Sequence, residues 1–142
     1  MPDIEHLVRV AAPIASIHPL VSTADGFKQW WAEDVIAGPG DTVRLGFFDR
    51  ATVYELAATD KSSALVIWRC QSGTEWQGTV IRFALSSSAD GTSVRFAHAG
   101  WTERTEYFDL CTTTWGALMY RLKAAAEGRT QGPLFSATGV AY

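Results

Sequence analysis

The sequence is poor in charge, and what charge it has is scattered. Lys and Arg number 12 against 15 Asp and Glu, for a formal net charge of −3, and no two basic residues are adjacent. A protein that tracks nucleic-acid phosphates or an anionic lipid surface needs clustered cations, so no nucleic acid and no membrane are expected as partners. Cysteine is scarce as well. Cys70 and Cys111 lie far apart with no CxxC spacing, so no disulfide framework is expected, and two buried thiols in a reducing compartment are. No apolar run approaches the roughly 18 residues of a membrane span. The start, "MPDIEHLVRV", is acidic where a secretory leader would be basic, and no apolar stretch follows it. A cytoplasmic chain is the expectation. His6, His18 and His98 fall in separate segments without HxH or HExxH spacing. With GxSxG, Walker and dinucleotide fingerprints absent too, no metal site and no cofactor are expected.

What is abundant is aromatic surface. Hydrophobic residues make up 47% of the chain, with 6 Trp, 7 Phe and 4 Tyr. Such a composition folds, and 142 residues suit one domain with a core that needs no staples. There is no internal repeat and no low-complexity stretch.

Local patterns supply the elements. "IEHLVRVAA" (residues 4–12) alternates, with Ile4, His6, Val8 and Val10 on one face, and reads as a half-buried strand. Pro13 suits a helix start. Pro19 then removes a ladder bond and crowds the carbonyl of Ala15, which predicts a short or kinked helix. Ser22 or Thr23 can cap a second helix, "ADGFKQWWA", and Gly38-Pro39-Gly40 reads as a loop. Residues 42–48, 51–59 and 64–70 read as three strands with short connections, which favour antiparallel hairpins. "WQGTVIRFALS" is a longer strand with Thr79, Ile81, Phe83 and Leu85 on one face. The Asp90-Gly91 turn leads to "TSVRFAHAG", which places Val94, Phe96 and His98 inward and Arg95 and Ala97 outward.

The last element is a helix of roughly 20 residues. At 100° per residue, Tyr107, Phe108, Cys111, Trp115, Leu118, Met119 and Leu122 fall within about a 120° arc. Thr105 is a plausible N-cap, Glu106 and Asp109 complement the helix start, and Gly128 can close its end. The apolar arc must be covered, and the sheet is the surface available. One strand, two short helices, a run of antiparallel strands and a long C-terminal helix make an α+β domain whose sheet wraps that helix.

Three stretches carry a family resemblance. "AAPIASIHPLVSTADGFKQWW" resembles the N-terminal pattern of the START-like (SRPBCC) helix-grip superfamily: Ala12-Pro13, a small-residue cap at Ser22-Thr23, Asp25-Gly26 and Trp30-Trp31. "WQGTVIRFALSSSADGTSVRFAHAGW" resembles its central strand pair, and "CTTTWGALMYRLKAAAEGRTQGP" its terminal helix ending in Glu-Gly and a following Pro. Within the superfamily the chain is most similar to the branch of the Hsp90 ATPase activator C-terminal domain and polyketide cyclase-like proteins. Pro19 departs from the family's usually continuous helical stretch. The resemblance implies a helix-grip (START-like) fold, a single domain over residues 1–142, and an apolar cavity between the sheet and the long helix. It implies a small hydrophobic molecule as the partner. Hsp90, with ATPase stimulation, is one alternative; a cyclase, dehydratase or hydrolase acting on an aromatic or ketide substrate is another. A homodimer is compatible with either.

Within such a cavity, Trp31, Trp68, Phe83, Phe96, Cys111, Trp115 and Met119 are the candidate ligand-binding walls, and His98 the candidate polar anchor. Trp76 joins Trp68 as a further wall candidate beside the sheet. Two roles fit His98: holding a ligand oxygen, or bonding the start of the long helix near Thr105 or Glu106. The enzymatic alternative would need an acid or base, and His98 with Tyr54, Tyr107 or Arg69 is the available set; no residue is assigned as catalytic. Cys111 lies more than a turn inside its helix, and Arg69 alternates away from Cys70, so neither thiol is placed to be activated.

Overall fold

The computed structural model describes residues 1–129 and 131–141; Thr130, inside the C-terminal motif, lies outside them. β1 (Ile4–Val10) leads into α1 (Ile14–Ser22) and α2 (Ala24–Lys28). A meander follows: β2 (Asp34–Ala37), β3 (Thr42–Phe47), β4 (Thr52–Ser62), β5 (Leu65–Cys70), β6 (Val80–Ser88) and β7 (Gly91–Ala99). The long helix α3 (Glu106–Ala126) comes next, then a small hairpin of β8 (Phe135–Ser136) and β9 (Gly139–Val140). The seven long strands form one antiparallel sheet in the order β1-β7-β6-β5-β4-β3-β2. This is the α+β arrangement that the residue patterns imply and the helix-grip fold that the resemblance implies.

Several local features differ from the expectations or complete them. α1 runs through Pro19 to Ser22, so the proline leaves the helix short without ending it on the spot. Thr23 links the two short helices: its hydroxyl donates to Pro19 O at 2.8 Å and accepts from Gly26 N at 2.9 Å. Gly26 is required there, because a Cβ would stand 2.0 Å from Pro19 O. The second helix stops at Lys28, which leaves Trp30 and Trp31 in the turn that enters β2. β2 itself, four residues next to a Gly-Pro-Gly loop, carries too short a pattern to read. The expected strand from Trp76 begins only at Val80, and Trp76 sits in the preceding turn. Gly91, with φ +145°, follows the β6–β7 turn as the first residue of β7, where a Cβ would meet Val10 O at 2.1 Å.

Alternation places the core. Val94, Phe96 and His98 of β7 point inward and are buried, as are Ile81, Phe83 and Leu85 of β6. Ala97, on the opposite face, is also buried; its register neighbours Glu5 and Arg82 have side chains long enough to cover a methyl group. The α3 arc is as read: Phe108, Cys111, Trp115, Leu118, Met119 and Leu122 are buried, while Tyr107 at the arc's edge is half-buried. Each large apolar side chain taken from water contributes roughly 1.5–3 kcal/mol. Thr105 caps the helix by accepting from Phe108 N at 3.2 Å.

Candidate functional site

His98 lies where its strand alternation puts it, facing α3, and it is fully buried. Its partners are neither Thr105 nor Glu106. Trp115 Nε1 donates to His98 Nδ1 at 3.1 Å, and His98 Nε2 meets Thr79 Oγ1 at 2.8 Å. An indole N–H can only donate, so Nδ1 is the acceptor and the ring proton sits on Nε2. The proton on Nε2 then points to Thr79 Oγ1, which in turn donates to Trp76 O. Trp101 Nε1 adds a bond to His98 O at 3.0 Å. Burial pushes the imidazole pKa down to about 3, and protonating Nδ1 would set N–H against N–H. His98 is therefore a neutral, fully bonded part of the core.

The open space lies elsewhere along the same helix. A cavity of about 370 Å³ separates the first half of α3 from the β3–β4 hairpin. The helix supplies Tyr107, Leu110, Cys111, Thr114, Trp115 and Leu118. Phe47, Phe48, Thr52 and Tyr54 of the hairpin face them, with Trp31 and Trp76 at the inner end and Phe135 and Val140 closing one side. Of the residues expected in the wall, the structure brings Trp31, Cys111 and Trp115 to it, together with Trp76. Tyr54 and Tyr107, singled out as possible acid–base helpers, are also in the lining. Trp68, Phe83, Phe96, His98 and Met119 do not line it. Trp68 donates to Val21 O at 2.8 Å, and Phe96 packs on Phe83 and Trp115 with ring centroids 5.5 and 4.3 Å apart. Arg69 is exposed, away from the helix.

The lining is uncharged: no Asp, Glu, Lys, Arg or His appears among the described residues that form it. Besides Thr52 and Thr114, its polar side chains are Tyr54, Trp76, Tyr107 and Cys111, which are neighbours of one another. Tyr54 and Tyr107 share a hydrogen bond between hydroxyls 2.5 Å apart. Trp76 stacks on Tyr54 with centroids 4.1 Å apart and planes within 7°. The Cys111 thiol faces the Trp76 indole and the Tyr107 hydroxyl. Desolvation raises the pKa values of Tyr54, Tyr107 and Cys111, so all three are neutral at ordinary pH. Cys70, behind the wall and 4.0 Å from His98 Nε2, is pushed up to about 12 by burial. Trp76 Nε1, itself inaccessible, meets no nitrogen or oxygen acceptor among the described residues; its polar neighbour is the Cys111 thiol, a weak acceptor.

The mouth is built from two unusual pieces. Phe48, Asp49 and Arg50, between β3 and β4, have φ of 55°, 55° and 66°, three successive left-handed residues with no glycine among them. Each of these costs roughly 1 kcal/mol or more, least for Asp. Arg50 is held by Asp34 at 2.8 Å, and the turn leaves Phe48 60% exposed, as is Leu110. Across from them the C-terminal hairpin is stitched to the first aromatic turn. Leu134 N and Phe135 N donate to Trp30 O and Trp31 O at 3.1 and 3.0 Å, and Glu33 N donates to Phe135 O at 2.9 Å. Arg121 donates to Gln131 O, Gly132 O and Ala141 O. Phe135 lies edge-on to Phe47 at 5.0 Å. Nothing periodic in the sequence marks this strap. Tyr54 had a readable signal, since it alternates inward with Thr52 and Leu56.

No group of three or more His, Cys, Asp or Glu among the described residues is arranged to hold a metal ion. No helix among them is long and apolar enough to cross a membrane.

No protein-family model matches the sequence. No curated protein matches it either. Solved structures do. The Aha1 dimer of Colwellia psychrerythraea, a solution structure, is 30% identical, with a TM-score of 0.81 over 93% of this chain and 100% of that one. A Bacillus halodurans protein is 22% identical with a TM-score of 0.70, over 89% of this chain and 98% of that one. A putative protein of the dynemicin biosynthetic locus is 15% identical with a TM-score of 0.74, over 92% of this chain and 49% of that one. The last two are similar in fold alone.

Proposed function

The chain belongs to the Aha1-like branch of the START-like helix-grip superfamily, and from that premise we propose that it works as one domain that binds a small, largely apolar molecule between α3 and the β3–β4 hairpin. The observation that carries this reading is the cavity itself: about 370 Å³, walled by aromatic rings, uncharged, and open at a mouth rimmed by exposed Phe48 and Leu110. Small-molecule sites have this character, mostly apolar with a few convergent polar groups. Trp31, Cys111, Trp115, Trp76, Tyr54 and Tyr107 are the proposed contact residues. The neutral tyrosines and thiol provide hydrogen bonds and no group poised to exchange a proton near pH 7, which favours binding over acid–base catalysis.

Native mass spectrometry of gently purified protein, with a titration of the neutral dye Nile red, tests the reading. One dye or one co-purified molecule per chain is expected, and Thr114→Trp, which fills the cavity from the helix side, should abolish uptake with the fold intact. A parent protein that takes up no apolar probe, or a filled variant that takes it up equally, overturns it. The same spectra count subunits, for which the dimeric Colwellia relative sets an expectation of two.

A further inference from the structure

We propose that the outer face of the long sheet, turned away from α3, docks an extended acidic polypeptide segment along a diagonal stripe of four arginines: Arg9, Arg95, Arg82 and Arg69. This surface lies across the sheet from the cavity and does not depend on the cavity's taking a guest.

Of the 12 Lys and Arg residues, eight are engaged. Seven hold carboxylates within 4.0 Å, and Arg121 donates to three backbone carbonyls. The four that remain are all Arg, all exposed, and their guanidinium groups make no hydrogen bond or ion pair among the described residues. Strand register brings these four together although the sequence scatters them. Arg9 stands opposite Ser93, two residues from Arg95 on β7. Arg95 stands opposite Ala84, two residues from Arg82 on β6. Arg82 stands opposite Ile67, two residues from Arg69 on β5. Every step runs to the same side, so the four form one line across β1, β7, β6 and β5, diagonal neighbours about 7–8 Å apart. Val8, Val94, Ile81 and Trp68, next to them in sequence, are buried in the core, so alternation turns the arginines outward. The line stops at β4, where Glu55 already holds Arg44 at 3.0 Å. Asp60 accepts from Ser62 N, and Glu5, diagonal to Arg95, forms no ion pair with it.

Four like charges in file repel one another until an anion offsets them. A guanidinium fork fits a carboxylate with two parallel bonds. An extended chain presents alternate side chains every 6.5–7 Å or so, close to the step of the stripe. A segment with an acidic residue at every second position can therefore set one carboxylate on each Arg. Leu7, opposite Arg95, and Ile67, opposite Arg82, are partly exposed and give the segment apolar ground to lie on. A long polyanion such as nucleic acid fits less well. The net charge of −3 and the carboxylates that border the line repel it, whereas a short acidic segment touches the stripe alone.

The test titrates the full chain with a fluorescein-labelled heptapeptide alternating Glu and Ser, against an isomer with its four Glu in one block, read by anisotropy. The alternating peptide should bind tighter than the block isomer by roughly fivefold, and its binding should weaken as salt rises. Arg82→Gln should cost about fivefold and Arg82→Lys less, because the fork is lost but the charge is kept. Lys28→Gln, on α2, should change nothing. Independently of any variant, the backbone amides that shift most on titration should lie in β1, β7, β6 and β5, with Tyr107 and Cys111 of the cavity wall unmoved. Vesicles containing phosphatidylserine and an oligothymidylate serve as rival anions. Equal binding of the two peptides, an Arg82→Gln variant that binds unchanged, or tighter binding of vesicles or oligonucleotide than of peptide overturns the inference.

Discussion

α3 crosses a sheet whose two halves receive it differently. Over β1 and β7 the helix packs directly, and the buried polar groups there are answered. His98 uses both ring nitrogens and its carbonyl, and Thr92 donates to Ala12 O at 2.8 Å. His6 reaches Thr112 O at 3.1 Å from the neighbouring strand. Over β3 and β4 the same helix stands off, and aromatic rings line the gap without closing it. There one indole proton meets only a thiol, and the thiol and phenols are kept neutral by burial. The closed half carries stability; the open half gives up some of it to keep a shaped space. His98, for which the sequence left an anchoring and a structural role open, belongs to the closed half, while Trp31, Cys111, Trp115 and Trp76 of the expected wall border the open one.

The sharpest way to break this comparison is His98→Ala. It empties a packed site and orphans Trp115 Nε1 and Thr79 Oγ1, so a loss of about 3–5 kcal/mol in urea unfolding is expected, with Nile red affinity of the folded fraction unchanged. A mild stability loss with altered affinity would assign His98 to the open half. Acid comes next. An unfolded histidine takes up its proton near pH 6.5, whereas folded His98 refuses it until about 3. The unfolded state therefore binds more protons in between, and stability falls as pH falls through that window. From pH 6.5 to 4.5 the fall should be about 2–3 kcal/mol, and His98→Gln should flatten it. The lowered carboxyls of Glu127, at about 2, and Asp60 lose their contributions as pH falls from the ordinary carboxylate values toward their folded ones, mostly below this window. Phe135→Ala tests the strap. The side chain is half-buried, so a cost of about 1–2 kcal/mol is expected, with faster dye release by stopped flow. Tyr107→Phe is the mildest. It removes one member of the hydroxyl pair at a site that borders open space, so under about 1 kcal/mol is expected, and the readout is a change in probe affinity.

The parts of the fold that were legible are those set by period. The α3 arc, the inward face of β6 and β7 and the Thr105 cap follow from spacing alone, because 3.6 and 2 are the periods of burial. Boundaries set by tertiary contact were not. Trp76 belongs to a turn although its flanking pattern suits a strand, and β2 is too brief to show alternation. The site was legible only where one residue type serves both halves. Trp31, Cys111 and Trp115 follow from the helix arc and the double Trp. The choice of β3–β4 over β5–β7 as the cavity side depends on how far α3 stands from each strand, which no spacing reports. Phe135 and Val140 reach the site through backbone bonds to Trp30 and Trp31, and those have no sequence signature.

One pairing described above also governs time. β1 joins the sheet beside β7, with Ile4 opposite His98, while every other strand neighbour within the long sheet is consecutive along the chain. Hairpins β2 through β7 can zip in short steps. The β1 contact must close a loop of nearly the whole meander, and its entropy has to be met before any bond rewards it. β1 is therefore the strand whose docking should lag during refolding, and until it arrives the edge of β7 beneath α3 stays open to pairing with another chain.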